Sequence, residues 1–169
     1  MPKSLFEGNI RVDVLITPPA NRSAVTITEL ADAIPLSCAI LRTGYRLSPT
    51  GSDTLNEPAL CETGNSVTFG ASNYEATMTL FRYLTEAGLS DPDQDIAWET
   101  FVEKGIAVDL IERIGPPAAK DWAEGDPYRL FPVITDDPQQ PTDLTGYQKF
   151  VQPFGVQGGV VLRGEVAAA

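Results

Sequence analysis

Residues Thr68–Gly88 read TFGASNYEATMTLFRYLTEAG, and this stretch decides the fold class. It opens on a turn-forming cluster, Gly70-Ala71-Ser72-Asn73, and continues as a strand-like run from Tyr74 to Leu84. Side chains alternate faces along a strand. One face then carries Tyr74, Ala76, Met78, Leu80, Arg82 and Leu84. The other carries Glu75, Thr77, Thr79, Phe81 and Tyr83. The first face is apolar enough to lie on a core. Toward Leu84 both faces turn bulky and apolar, which predicts cover on both sides there.

Upstream, Asn9–Thr17 alternates Ile10, Val12, Val14 and Ile16 against Arg11, Asp13 and Leu15, a first strand stopped by Pro18-Pro19. Thr28–Ala33 predicts one helical turn capped by Thr28. Ser37–Leu47 predicts a second strand. Ser48–Gly64 (SPTGSDTLNEPALCETG) has no periodicity and holds two prolines and two glycines. Such loops in compact domains are uncommon and often functional. It reads either as a solvated surface loop or as an arm that orders against another subunit, burying Leu55, Leu60 and Cys61.

Downstream, Asp91 is placed as a helix N-cap, with Pro92 at the first helical position and Gln94 at capping-box spacing. Trp98, Phe101 and Val102 follow at helical spacing, and Gly105 is placed to end the helix. Ile106–Ile114 is a strand. Tyr128–Thr135 is another, with Pro132 assigning it to an edge or a bulge. Gly146–Phe154 and Val156–Val166 read as a final pair around Gly155. The expected fold is mainly β, a sandwich or flattened barrel of two packed sheets with one flanking α-helix.

The chain of 169 residues suits one domain, with a long loop at about 48–64. Acidic residues outnumber basic ones 23 to 12, for a net charge of −11. That argues against a nucleic-acid-binding surface, which needs clustered Lys and Arg. It leaves open a surface past which DNA slides without sticking, where like-charge repulsion is useful. There is no histidine, so the commonest general base and metal ligand is missing. The N-terminus carries no apolar run of signal-peptide length, and no segment reaches the roughly 20 apolar residues of a membrane span. The expected compartment is the cytosol, where thiols stay reduced.

No constellation carries catalytic or metal chemistry. Asp91, Asp93 and Asp95 have the opening spacing of a calcium loop, but Ile96 and Val102 stand where that loop needs Gly and Glu. Helix capping explains the cluster better. Asp136-Asp137 lies in a proline-rich turn and reads as a solvated pair. No G-x-S-x-G, P-loop or S-x-x-K set with its partner motifs is present. The aromatics are not interleaved with basic residues, so a base-stacking platform is not expected. Cys38 and Cys61 read as two small buried thiols, with a bridge closing the loop or a reactive thiol as alternatives. No cofactor is expected.

The run SDTLNEPALCETGNSVTFGASNYEATMTLFRYL (Ser52–Leu84) resembles the central region of tail tube (major tail) proteins of long-tailed phages, particularly those infecting actinobacteria. The resemblance extends to Thr28-Glu29-Leu30, to EKGIAVDLIERIGP (Glu103–Pro116) and to VITDDPQQPTDLTGYQKFVQPFGVQG (Val133–Gly158). It implies two packed sheets with a flanking helix. It also implies a structural virion protein, not an enzyme, that is assembled in the host cytoplasm. Its subunits would form hexameric rings stacked into a hollow tube, with strands of all six joined in an inner barrel. The tape measure protein would occupy the lumen, and DNA would pass without specific binding. Tail terminator and distal tail proteins would cap the ends.

In that setting the long loop reaches a neighbouring ring, with Thr50, Asp53, Leu55, Glu57 and Leu60 as its contact candidates. Glu75, Thr77 and Thr79 are the candidates for the lumen or inner sheet, alongside the C-terminal pair of strands. The chain ends at Ala169, so the extra C-terminal immunoglobulin-like domain of some members is expected to be absent. Two alternatives stand beside this reading: a terminator or connector that stops at one ring, and a monomeric β-barrel holding a small ligand.

Overall fold

In the computed structural model of the chain, which describes residues 5–169, the alternating run forms a strand over Tyr74–Phe81. Chain order is β1 (Ile10–Leu15), α1 (Ile27–Ala31), β2 (Ile34–Pro35), β3 (Ile40–Pro49), β4 (Thr54–Leu55), β5 (Thr68–Phe69), β6 (Tyr74–Phe81), α2 (Ile96–Phe101), β7 (Ala107–Ile114), β8 (Pro127–Thr135), β9 (Lys149–Val156) and β10 (Val161–Glu165). On β6 the expected core face holds, because Ala76, Met78 and Leu80 are buried. The strand stops before Leu84 because Asp95 captures its end. Arg82 Nε donates to Asp95 Oδ2 at 2.8 Å and the Tyr83 N–H to Oδ1 at 3.1 Å.

Eight strands form one antiparallel sheet in the order β2-β1-β7-β8-β9-β6-β3, with β10 also on β8. The corner is β9. Its Lys149–Phe154 segment pairs with β6, and its Phe154–Val156 end pairs with β8. A strand that changes partners in this way turns a sheet back over itself. Two layers result, packed face to face, with β3 and β6 over β7 and β8. Tyr45 of β3 reaches Glu112 of β7 at 2.6 Å, and the rings of Tyr74 and Phe131 meet edge-on at 6.1 Å.

Three expectations are corrected by this topology. The last two strands do not pair with each other, since both pair with β8. Pro132 is in a central strand, not at an edge or bulge. It stands where the partner of β8 changes from β10, paired at Leu130, to β9, paired at Val133, so no ladder bond needs its missing N–H. Its carbonyl still accepts from the Gln157 N–H at 2.8 Å. The predicted second strand, Ser37–Leu47, starts instead at Ile40 and runs to Pro49.

The main core lies between the layers and takes in Val12, Val14, Leu110, Phe131 and Phe150. The short α2 packs there through Trp98 on Phe150 and Phe101 on Phe154, each pair edge-on at 5.1 Å. The helix is shorter than its capping signals implied. Asp91 caps a turn, accepting from the N–H groups of Asp93 and Gln94, while Asp95 is held by Arg82. A second core lies on the opposite face of β1, β7 and β8. It gathers Leu15, Ile111, Leu130 and Trp122 under the segment bearing Val25 and Leu30.

That segment contains α1, capped by Thr26 and not by Thr28. Thr26 Oγ1 accepts from the Glu29 N–H, and Glu29 Oε2 accepts from the Thr26 N–H at 2.9 Å. The N–H donations from Thr26 and Ala20 hold the Glu29 carboxyl below its ordinary range. Thr26→Ala is expected to cost about 1 kcal/mol at pH 7. The charge-dependent part of this cap is fully present above the unfolded carboxylate range. It is lost as pH falls through the depressed folded value. The backbone N–H donations to the carboxylate survive in Thr26→Ala, so this part is read on Glu29→Gln, whose loss in urea melts should be larger at pH 7 than in acid.

Candidate functional site

Between β3 and β6 the chain leaves the body as a two-stranded ribbon, in place of the structureless loop expected at 48–64. Thr54 of β4 pairs with Phe69 of β5, and Leu55 with Thr68. The neck is closed by Thr50 N–H to Asn73 O at 2.8 Å and Asp53 N–H to Ala71 O at 2.9 Å. Asn73 Nδ2 braces it by donating to Gly51 O and Asp53 Oδ1. Beyond the neck, every residue from Asp53 to Asn73 is exposed. Leu55, Leu60, Val67 and Phe69 are 55%, 107%, 56% and 75% accessible. The ribbon carries Asp53, Glu57 and Glu62 and no lysine or arginine. An isolated two-stranded hairpin is marginal in water, and this one covers none of its apolar groups itself. Of the loop candidates, Asp53, Leu55, Glu57 and Leu60 lie on the ribbon and Thr50 at its neck.

Glu75, Thr77 and Thr79 share the face of β6 that points away from the main core, and differ in exposure along it. Glu75 is exposed and pairs with Arg46 at 3.3 Å. Thr77 is half-buried. Thr79 is 9% accessible, because Gly44 of β3 lies directly over it. A Cβ at Gly44 would overlap the Thr79 side chain. The close approach coincides with the register shift of β3 between its Ile40–Leu80 and Tyr45–Met78 pairings. Lys149, paired with Phe81, adds a positive charge to this outer face. In the eight-stranded sheet, β2, β3 and β10 each pair on one side only, so among the described residues their other edges are open. The longest open edge is that of β3, and such an edge invites pairing with another chain.

At the end of β6 away from the ribbon lies a groove of about 220 Å³ lined by Arg82, Asp143, Leu144, Tyr147 and Lys149. Leu144 and Tyr147 are 70% and 83% accessible. Arg82 is fixed by Asp95 and stacks on Trp98 at 3.8 Å. Asp143 accepts from the Thr145 hydroxyl and N–H, which hold its carboxyl below the usual range.

Sequence reasoning missed the charges buried beneath these surfaces. Asp13, Asp109, Glu112 and Arg113 are at most 2% accessible. Glu112 accepts from Tyr45 and from Arg129, each at 2.6 Å. Burial, and then the Glu112 charge, push the Tyr45 phenol far above its ordinary range. Asp109 holds Arg22 through two hydrogen bonds. Trp122 sits against both Arg11 and Arg113 and donates its indole N–H to Asp13 at 2.6 Å. The available signal was the run VDLIERI, whose charges interrupt an otherwise apolar strand.

Cys38 and Cys61 are both exposed and unbonded, not buried and not bridged. Cys38 lies in the turn before β3, and Cys61 is carried outward on the ribbon. Among the described residues no helix is long and apolar enough to cross a membrane, and no group of three or more His, Cys, Asp or Glu is placed to hold a metal ion.

The sequence matches the family described as Phage tail tube protein over residues 1–169. No curated protein matches it. In shape the chain is similar to one in the cryo-EM structure of the anti-feeding prophage (AFP) baseplate, 6-fold symmetrised. The TM-score is 0.50 at 11% identity, covering 99% of this chain and 98% of that one. At that identity the likeness is one of fold.

Proposed function

Because the chain belongs to the phage tail tube protein family, we propose that it self-assembles into hexameric rings that stack into the hollow tail tube of a long-tailed phage. Its role is then assembly and not catalysis, in one tube domain, built in the host cytoplasm and kept in the virion tail. DNA passes through the lumen without specific binding, past the tape measure protein that occupies it during assembly. Terminator and distal tail proteins close the ends. In this reading β6, with β3 and β9, contributes to the inner barrel, and ring closure covers the open strand edges. The 6-fold symmetry named for the structure of similar fold supports six subunits per ring.

The observation that carries the proposal is the ribbon. Its four large apolar side chains have no cover within the subunit, so a contact with another copy supplies it. Removing Asp53–Ala71 and joining the neck by a short turn should leave a folded subunit with a melting temperature close to that of the intact chain. Negative-stain images and sedimentation should then show rings that do not stack. Full tubes formed by the deletion variant at the usual rate would overturn the role of the ribbon. Intact protein that stops at single rings would favour a terminator or connector, and a monomer would favour a ligand-binding barrel.

A further inference from the structure

The ribbon and the Arg82–Lys149 groove lie at opposite ends of the same strands. The ribbon departs after Pro49 of β3 and returns at Tyr74 of β6. The groove begins past Phe81 of β6 and before Lys149 of β9. Eight residues of β6 separate them, a span of about 24 Å at the rise of an antiparallel strand. A projection at one end and a recess at the other make a self-complementary pair only between different copies. Such a contact is heterologous, and repeated along an axis it gives an open filament.

The chemistry of the two surfaces matches. The ribbon brings Asp53, Glu57 and Glu62 with no basic residue. The groove is lined by Arg82, Lys149 and Asp143. Arg82 is already paired with Asp95, and Asp143 is engaged by Thr145, so Lys149, whose ammonium donates only to the Thr145 carbonyl at 3.1 Å, is the cation left to meet an acidic partner. Exposed apolar groups stand on both sides, Leu60 and Phe69 on the ribbon and Leu144 and Tyr147 at the groove. The groove of about 490 Å³ beside β10 is a poorer match, because its lining sets Arg163 with Glu165, and Arg129 is already paired with Glu112.

We propose that the ribbon of one copy docks in the Arg82–Lys149 groove of the next copy along the tube axis. Its acidic side chains face Lys149, and its apolar groups pack on Leu144 and Tyr147. This rests on the tube reading and adds the receptor for the ribbon. Opposed charges at such a contact set register and partner choice.

The test uses the full chain in three forms: Lys149→Glu with Leu144→Ser, Glu57→Lys with Glu62→Lys, and all four changes together. Thermal melts confirm that each folds. Each pair of changes should raise the critical concentration for tube formation by about tenfold or more. The combined form should recover much of that loss, since its charges are again opposed. Tubes that form at the normal concentration in the groove variant, while the ribbon deletion abolishes them, would overturn this docking and leave the tube reading standing. Intact protein that makes no tubes under any condition would overturn both.

Discussion

Arg113→Met is expected to destabilise the subunit by about 3–5 kcal/mol, the cost of removing one partner from a buried, hydrogen-bonded ion pair. Arg113 is fully buried one residue before the end of β7. Its guanidinium donates to Asp126 Oδ2 at 2.6 Å and to the carbonyls of Pro117, Lys120 and Asp121. It also lies 4.9 Å from the centre of the Trp122 ring. A methionine matches the stem in size and supplies no donor. The Asp126 carboxylate and three carbonyls then lose a partner together, and the loop from Gly115 to Asp126 loses its anchor. Arg113→Lys should recover less than half of the loss, because a single ammonium cannot reproduce a planar fork. Arg113→Met with Asp126→Asn should be less damaging than the sum of its parts, since no buried charge is stranded. Equilibrium urea unfolding of the parent chain, the three single variants (Asp126→Asn included) and the double variant checks all three statements. A loss below about 1 kcal/mol for Arg113→Met would contradict the assignment.

Gly164→Ala is expected to cost about 3 kcal/mol, at the upper end of overpacking effects. Gly164 of β10 pairs with Tyr128 of β8, and the tyrosine ring lies against its α-carbon. An added methyl group would overlap ring atoms. The ring has nowhere to move. It is 3% accessible, and its hydroxyl is held at both functions, donating to Arg22 O at 2.7 Å and accepting from the Val25 N–H at 3.0 Å. Strain at Gly164 therefore reaches the segment that carries α1. Gly158→Ala is the control, because a Cβ there meets nothing within 4 Å. It should change stability by less than about 0.5 kcal/mol. Equal melting temperatures for the two variants would refute the argument.

These sites explain where reading from residues stopped. Alternation over Tyr74–Phe81 identifies the core face of β6 because that layer is covered on one side, and two-residue periodicity reports that situation well. The β1–β7–β8 layer is covered on both sides. There, Asp13, Asp109 and Arg113 look like a solvent face while being buried against segments distant in sequence, and Glu112, on the opposite face of β7, is buried between the layers against Tyr45 and Arg129. Only tertiary structure brings Trp122 to Asp13 or Arg22 to Asp109. Pro132 failed as an edge marker for a related reason. A proline is excluded by a ladder bond at its own position, and a change of partner removes that bond without placing the strand at an edge. On β6, Glu75, Thr77 and Thr79 share the outer face that alternation assigns them. The approach of Gly44 over Thr79 depends on a register shift that no local pattern announces. The ribbon was readable as a segment lacking core periodicity, whereas its pairing of β4 with β5 rests on two residues at each strand.

The ribbon is attached to the body only at its neck, and none of its residues from Asp53 to Asn73 supports the core. With the ribbon as the contact between copies, as proposed, folding and recognition are written in separate parts of the chain. Changes in the ribbon can accumulate without a stability cost, provided the surface that receives it changes in step. Two lineages that start from one fold can drift until their subunits no longer mix, so related tubes growing in one cell would sort themselves by kind.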